Sequence, residues 1–166
     1  MNLNERISLI QICLGYDVFN KGKLIQWVDN LISKSSAADS WMIDLSLYKG
    51  NSSEEVLNVL IEEFGYPKLK SFSTLIATLN FCHIFGNVSI LQLSAKLSID
   101  KDHGDFIEET KSDLKAMCTV GKVYMLLEEE HYSEEAVNSA TNTLNELFKL
   151  SSRKYPEIED FLTSVA

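Results

Sequence analysis

Residues 52–67 read SSEEVLNVLIEEFGYP. Ser52 and Glu55 have the S-x-x-E spacing of a capping box, in which each side chain satisfies a backbone N–H at the start of a helix. Glu54 in the same turn favours the positive end of the helix dipole. Val56, Leu57, Leu60, Ile61 and Phe64 then recur every three to four residues, the period of one helical face. Gly65 stands where a helix ends on a glycine, and Pro67 bars continuation. Start, face and stop agree, so this segment is a helix, and its neighbours are read by the same signals.

Upstream, Leu3, Ile7, Ile10 and Leu14 form a stripe behind a capping box of Asn2 and Glu5. Tyr16, Val18 and Phe19 extend that stripe, so the expected stop is Asn20–Gly22. A second helix is expected from Lys23 to Ser33, with Leu24, Trp27, Val28, Leu31 and Ile32 on its apolar side. The polar residues Ser33 to Ser40 read as a loop, and Trp41 to Tyr48 as a short helix. Trp27 and Trp41 are assigned to core packing and Asp44 to helix capping.

Downstream, Phe72 to Phe85 is apolar on several sides, as in a central helix buried nearly all round. Val88 to Ile99 fits a helix, although residues 88–93 could alternate as a strand; its helical neighbours favour helix. Asp100 to Gly104 reads as a turn. A long helix is expected from Phe106 to Glu130, with Phe106, Leu114, Met117, Val120, Tyr124 and Leu127 inward. Ser133 caps the next, with Val137, Ala140, Leu144, Leu147 and Phe148 as its stripe. Pro156 suits the first turn of a last helix carrying Ile158, Phe161 and Leu162. The expected fold is all-α: a compact bundle of eight or nine mostly antiparallel helices, forming one domain over residues 1–166.

Composition narrows the function. The chain has 166 residues, 45% of them hydrophobic and 23% charged, which is the balance of a globular protein rather than a disordered one. No apolar run reaches the roughly 18–20 residues of a membrane helix. The N-terminal MNLNERISLIQICLGYDV lacks the basic start and small-residue cleavage site of a secretory signal, so a cytoplasmic location is expected. Cys13, Cys82 and Cys118 are odd in number and widely spaced. They read as buried reduced thiols on core faces, not as a disulfide framework.

Catalytic and cofactor signatures are missing. Neither G-x-G-x-x-G, nor a Walker-A run, nor G-x-S-x-G occurs, so no catalytic residue and no cofactor are assigned. His83 and Cys82 are consecutive on a helix and point about 100° apart, so they do not chelate together. Asp100–Glu109 superficially resembles a calcium loop, but Gly104 and Lys111 fall where ligands are needed. No metal site is assigned. An enzyme with a carboxylate-lined cleft stays open as a minor alternative, because acid and base can be distant in sequence.

Charge is the distinctive property. Lys and Arg number 15 against 24 Asp and Glu, a net charge of −9. The excess is local, since residues 101–166 carry 7 basic and 14 acidic side chains. Such a protein repels nucleic-acid backbones and anionic membranes and attracts a basic protein. The acid concentrates in Glu128-Glu129-Glu130-His131-Tyr132-Ser133-Glu134-Glu135. Glu134 and Glu135 suit a helix start. Glu128, Glu129 and Glu130 at a helix end oppose the dipole, at typically about 0.3–1 kcal/mol per charge. A costly feature points to selection for something other than stability. Glu128, Glu129, Glu130, Tyr132, Glu134 and Glu135 are therefore the candidate partner-binding residues, with Tyr132 as a rigid aromatic contact for Lys or Arg. The plain alternative is a solvated corner.

A resemblance adds to this. Lys21-Gly22-Lys23-Leu24-Ile25-Gln26-Trp27-Val28-Asp29, a Ser-rich gap, Trp41-Met42-Ile43-Asp44-Leu45-Ser46-Leu47 and Ser53-Glu54-Glu55-Val56-Leu57-Asn58-Val59-Leu60 follow in that order. The stretch resembles small bacterial proteins encoded beside toxin genes and regarded as immunity proteins of contact-dependent growth inhibition and related polymorphic toxin systems. It covers about a quarter of the chain, Lys21 to Phe64. The resemblance implies an immunity protein that neutralises a cognate toxin by binding it. Such toxins are often nucleases with basic clefts, which an acidic helical protein can occupy. The acidic segment lies outside the matching stretch, so no binding residue is carried over to it. The alternative function is a helical adaptor or self-associating structural protein.

Overall fold

The computed structural model describes residues 1–50, 52–86, 88–89, 92–93, 95–98, 106 and 110–165. Among these residues there is no β-strand, and the fold is an all-α bundle. Eight helices have both ends described: α1 Leu3–Gly15, α2 Lys21–Lys34, α3 Ser40–Ser46, α4 Ser53–Phe64, α5 Phe72–Phe85, α6 Lys111–Glu129, α7 Glu134–Lys154 and α8 Pro156–Val165. Residues 92, 93 and 95–98 are also helical, with Leu93 and Leu97 fully buried. The rest of the 88–99 assignment and the Asp100–Gly104 turn lie outside the described residues, apart from Val88 and Ser89, which are not helical.

The chain divides into two compact units, Met1–Pro67 with Asp160–Ala166, and Lys68–Glu159. In the first unit α1 lies on α4, and α3 meets both α2 and α4. The Asn2–Glu5 capping box is complete, with Glu5 N donating to Asn2 Oδ1 at 2.9 Å and Asn2 N to Glu5 Oε2 at 2.7 Å. Of the expected Ser52–Glu55 box only half forms: Glu55 N donates to Ser52 Oγ at 3.3 Å, but Ser52 N donates to Tyr48 Oη at 2.9 Å, and Tyr48 Oη in turn donates to the Glu55 carboxylate. Trp41 is buried and meets the Phe64 ring edge-on at 5.1 Å between centroids. Trp27 is half-buried and meets Phe161 of α8 at 5.8 Å. Gly65 ends α4 at φ 76°, as its position in the sequence predicts.

Three expectations for this unit need correction. α1 stops at Gly15, not at Asn20–Gly22. Asp17 takes the left-handed conformation at φ 58°, Val18 N donates to Cys13 O at 2.9 Å, and Asp17 N donates to Leu14 O at 3.0 Å. That pair of bonds is a Schellman end, closed by an Asp where a glycine is usual. α2 starts earlier than Lys23, because Asn20 caps it by accepting from Lys23 N at 3.0 Å. Asp44 caps nothing; it is exposed within α3, whose N-cap position is held by Asp39.

In the second unit α5, α6 and α7 pack on one another around Phe72, Ile76, Leu79, Val120, Leu127, Leu144 and Phe148. Each such side chain, removed from water, contributes roughly 1.5–3 kcal/mol. α5 is buried from Phe72 to Leu79, as its all-round apolarity implies, but Ile84 and Phe85 in its last turn are exposed. α6 starts at Lys111, not at Phe106, which is not helical. Its inward face is Asp113, Ala116, Val120, Val123 and Leu127, so Leu114 is exposed rather than buried.

This register also corrects the reading of Cys118. It sits two residues from Ala116 and Val120, on the outer side of α6, and is exposed, whereas Cys13 and Cys82 are buried. A thiol reagent applied to the native protein should therefore modify one cysteine rapidly and two only after unfolding. Mass spectrometry of the labelled peptides checks this, and rapid modification of Cys82 would contradict the packing.

Candidate functional site

α6 and α7 are joined by the corner that carries the acidic segment. α6 ends at Glu129 with Glu130 at its cap. His131 N donates to Glu128 O at 3.2 Å and Tyr132 N to Leu127 O at 2.9 Å. This is a second Schellman end, and here two non-glycine residues in succession, His131 at φ 46° and Tyr132 at φ 56°, are left-handed. Ser133 then caps α7, accepting from Ala136 N at 3.2 Å. The corner reverses the chain within three residues, so carboxylates from two helices meet at one end of the pair.

The fold brings all six candidate residues to this corner. Glu128, Glu129, Glu130, Glu134 and Glu135 are exposed, and so is Tyr132 at 49%. No Lys or Arg among the described residues pairs with any of the five carboxylates. Tyr132 Oη donates to Glu128 Oε1 at 2.9 Å. That bond, with some burial and the negative charge of Glu128, holds the phenol above its ordinary pKa and keeps it a neutral donor. Beside it lies a cleft of about 250 Å³ lined by Leu126, Glu130, Ser133, Glu135, Ala136 and Ser139. Two carboxylates on a partly apolar wall suit one long cationic side chain, whose stem can lie on Leu126 and Ala136 while its head reaches the acids.

The left-handed pair costs backbone energy that a glycine would not. His131→Gly should therefore raise stability by about 1 kcal/mol, a gain of a few degrees in Tm for a chain of this size. Differential scanning calorimetry checks this, and a fall in Tm would mean that the imidazole makes a stabilising contact.

The sequence reading passed over Asp113. It is fully buried at the third position of α6, where its carboxylate accepts four hydrogen bonds. Thr110 N and Thr110 Oγ1 donate to Oδ2 at 2.9 and 2.5 Å. Ser73 N donates to Oδ1 at 2.9 Å, and Ser73 Oγ makes a short bond to the same atom. Ser73 is in the first turn of α5, so one carboxylate serves the N-termini of α5 and α6, which lie side by side. Burial alone would raise its pKa, but the donors from Ser73 and Thr110 outweigh that and hold it below the ordinary value. With every lone pair engaged, this group is structural.

His83 is half-buried, with Nδ1 at 2.7 Å from Val88 O. Among the described residues no three His, Cys, Asp or Glu side chains gather as a metal site, and no helix is long and apolar enough to cross a membrane. No family model, curated protein or solved structure matches the chain.

Proposed function

We propose that this protein is an immunity protein, which binds a cognate bacterial toxin in the cytoplasm and neutralises it, the toxin being a nuclease with a basic phosphate-binding cleft. The observation that carries the reading is the α6–α7 corner, five exposed carboxylates without a cationic partner among the described residues, beside a cleft that two of them line. Such a surface steers a basic protein into contact and offers its Lys or Arg a seat. The resemblance of Lys21–Phe64 to immunity proteins supports the same reading independently. Affinity would rest on a few desolvated anchors, with Tyr132 and the Glu130–Glu135 cleft as the first choices.

The test is capture of the tagged protein from its native host, identification of the stoichiometric partner by mass spectrometry, and assay of that partner for nuclease activity with and without this chain. A basic partner whose nuclease activity is lost on binding supports the proposal. A partner that is acidic, or one that keeps its activity in the complex, overturns it.

A further inference from the structure

A second concavity lies within the Lys68–Glu159 unit, far along α6 and α7 from the acidic corner. It is a groove of about 500 Å³ lined on α6 by Ser112, Lys115, Ala116 and Thr119 and on α7 chiefly by Glu146, Leu147, Leu150 and Lys154. That volume falls in the range of small-molecule sites, roughly 300–1,000 Å³. Its two ends differ. Lys154 Nζ donates to Ser112 Oγ at 2.9 Å, which fixes the antiparallel register of the helices at this point. Lys115 and Lys154 therefore share the end near the start of α6. Ala116, Leu147 and Leu150 make the middle, where Leu150 is 62% exposed. Glu146 stands towards the other end and is already paired with Lys149 at 2.9 Å.

Two lysines stand at one end of the groove. Lys149 pairs with a carboxylate, that of Glu146. Neither Lys115 nor Lys154 has one among the described residues. The nearby carboxylate of Asp113 is sealed beneath, its oxygens taken by Ser73 and Thr110. Two of the groove's hydroxyls are engaged as well, since Thr119 Oγ1 donates to Lys115 O and Thr143 Oγ1 to Ser139 O. What the groove offers a ligand is the Lys115 ammonium, the Lys154 ammonium held in place by Ser112 and lying 5.1 Å from the Tyr155 ring centroid, and an apolar floor leading away from them.

We infer that this groove binds a small amphipathic carboxylate, with its head group between Lys115 and Lys154 and its apolar chain over Ala116, Leu147 and Leu150. The charge order sets the direction, because a head group at the other end would face Glu146. This site is separate from the toxin-binding corner and does not depend on it.

Titration of the full-length protein with sodium decanoate, below its micelle concentration, followed by calorimetry and amide NMR, tests the inference. The expected result is saturable binding of one molecule, with shifts confined to residues of the groove. Lys115→Glu, an exposed change at a side chain with no partner to lose, should weaken binding roughly tenfold or more, and 1-decanol should bind at least roughly tenfold more weakly than decanoate. Lys154→Gln should act in the same direction if circular dichroism shows the fold kept. Absence of saturable binding, equal affinity for decanol, affinity unchanged in Lys115→Glu, or shifts located elsewhere would each overturn it.

Discussion

Replacing Asp113 by alanine is expected to destabilise the protein by about 3 kcal/mol and to lower Tm by roughly 10 °C. The reason is positional. The carboxylate answers the backbone N–H of Ser73 in the first turn of α5 and that of Thr110 at the start of α6. Alanine would leave both donors, and the Ser73 and Thr110 hydroxyls, without an acceptor in a buried place, and would remove the negative charge from between two positive helix ends. Asparagine keeps the shape but offers one acceptor oxygen, so Asp113→Asn should fall between the two.

The same residue sets a pH dependence. Its folded pKa lies below the ordinary value of 3.8, so its contribution is present above that value and lost as pH falls through the lower folded one. The gap between the wild type and Asp113→Ala should thus be full at neutral pH and start to narrow only below about pH 4. Urea unfolding at several pH values, with the slope m unchanged, checks both claims. A loss under about 1 kcal/mol at neutral pH would show that water can replace the carboxylate.

The second large effect is expected at the acidic corner. Changing Glu129, Glu130 and Glu134 together to lysine should weaken binding of the proposed basic partner roughly a hundredfold or more and sharply reduce the dependence of the association rate on salt. Loss of fold is not the expected cause. Lysine at the end of α6 suits the dipole better than glutamate, while lysine at the start of α7 suits it worse, so the stability terms largely cancel. Stopped-flow association at several salt concentrations, alongside Tm, separates the two. Unchanged affinity and salt dependence would mean that the acidic corner is not the docking surface.

What could be read from the sequence follows from how local each signal is. The start and end of α4 are written in neighbouring residues, and so is the gathering of Glu128 to Glu135 around a single turn. The end of α1 was hidden because Tyr16, Val18 and Phe19 keep the apolar period while Asp17 quietly takes the left-handed turn. The start of α6 was hidden because Thr110 and Asp113 make a capping box with an aspartate, where Glu or Gln is the usual sign. That misreading turned the inward face of α6 by one position, hence Leu114 and Cys118. Asp113 itself could not be recognised, since its second partner, Ser73, lies 40 residues away. The lysine-ended groove needs two helices in register, which no linear pattern displays.

The first unit is built from two separated pieces of chain, and this orders events as the protein is made. Residues 1–67 leave the ribosome first, yet Trp27 awaits Phe161, and Lys23 awaits the carbonyl of Thr163, to which it donates at 2.9 Å. At ordinary synthesis rates that wait lasts roughly five to twenty seconds. The Lys68–Glu159 unit, by contrast, is one continuous stretch, finished only at Glu159, just before Asp160 begins the second piece of the first unit. The first unit is thus completed only by residues 160–165, and until they are made the Trp27 side of α2 lacks the Phe161 ring that meets it.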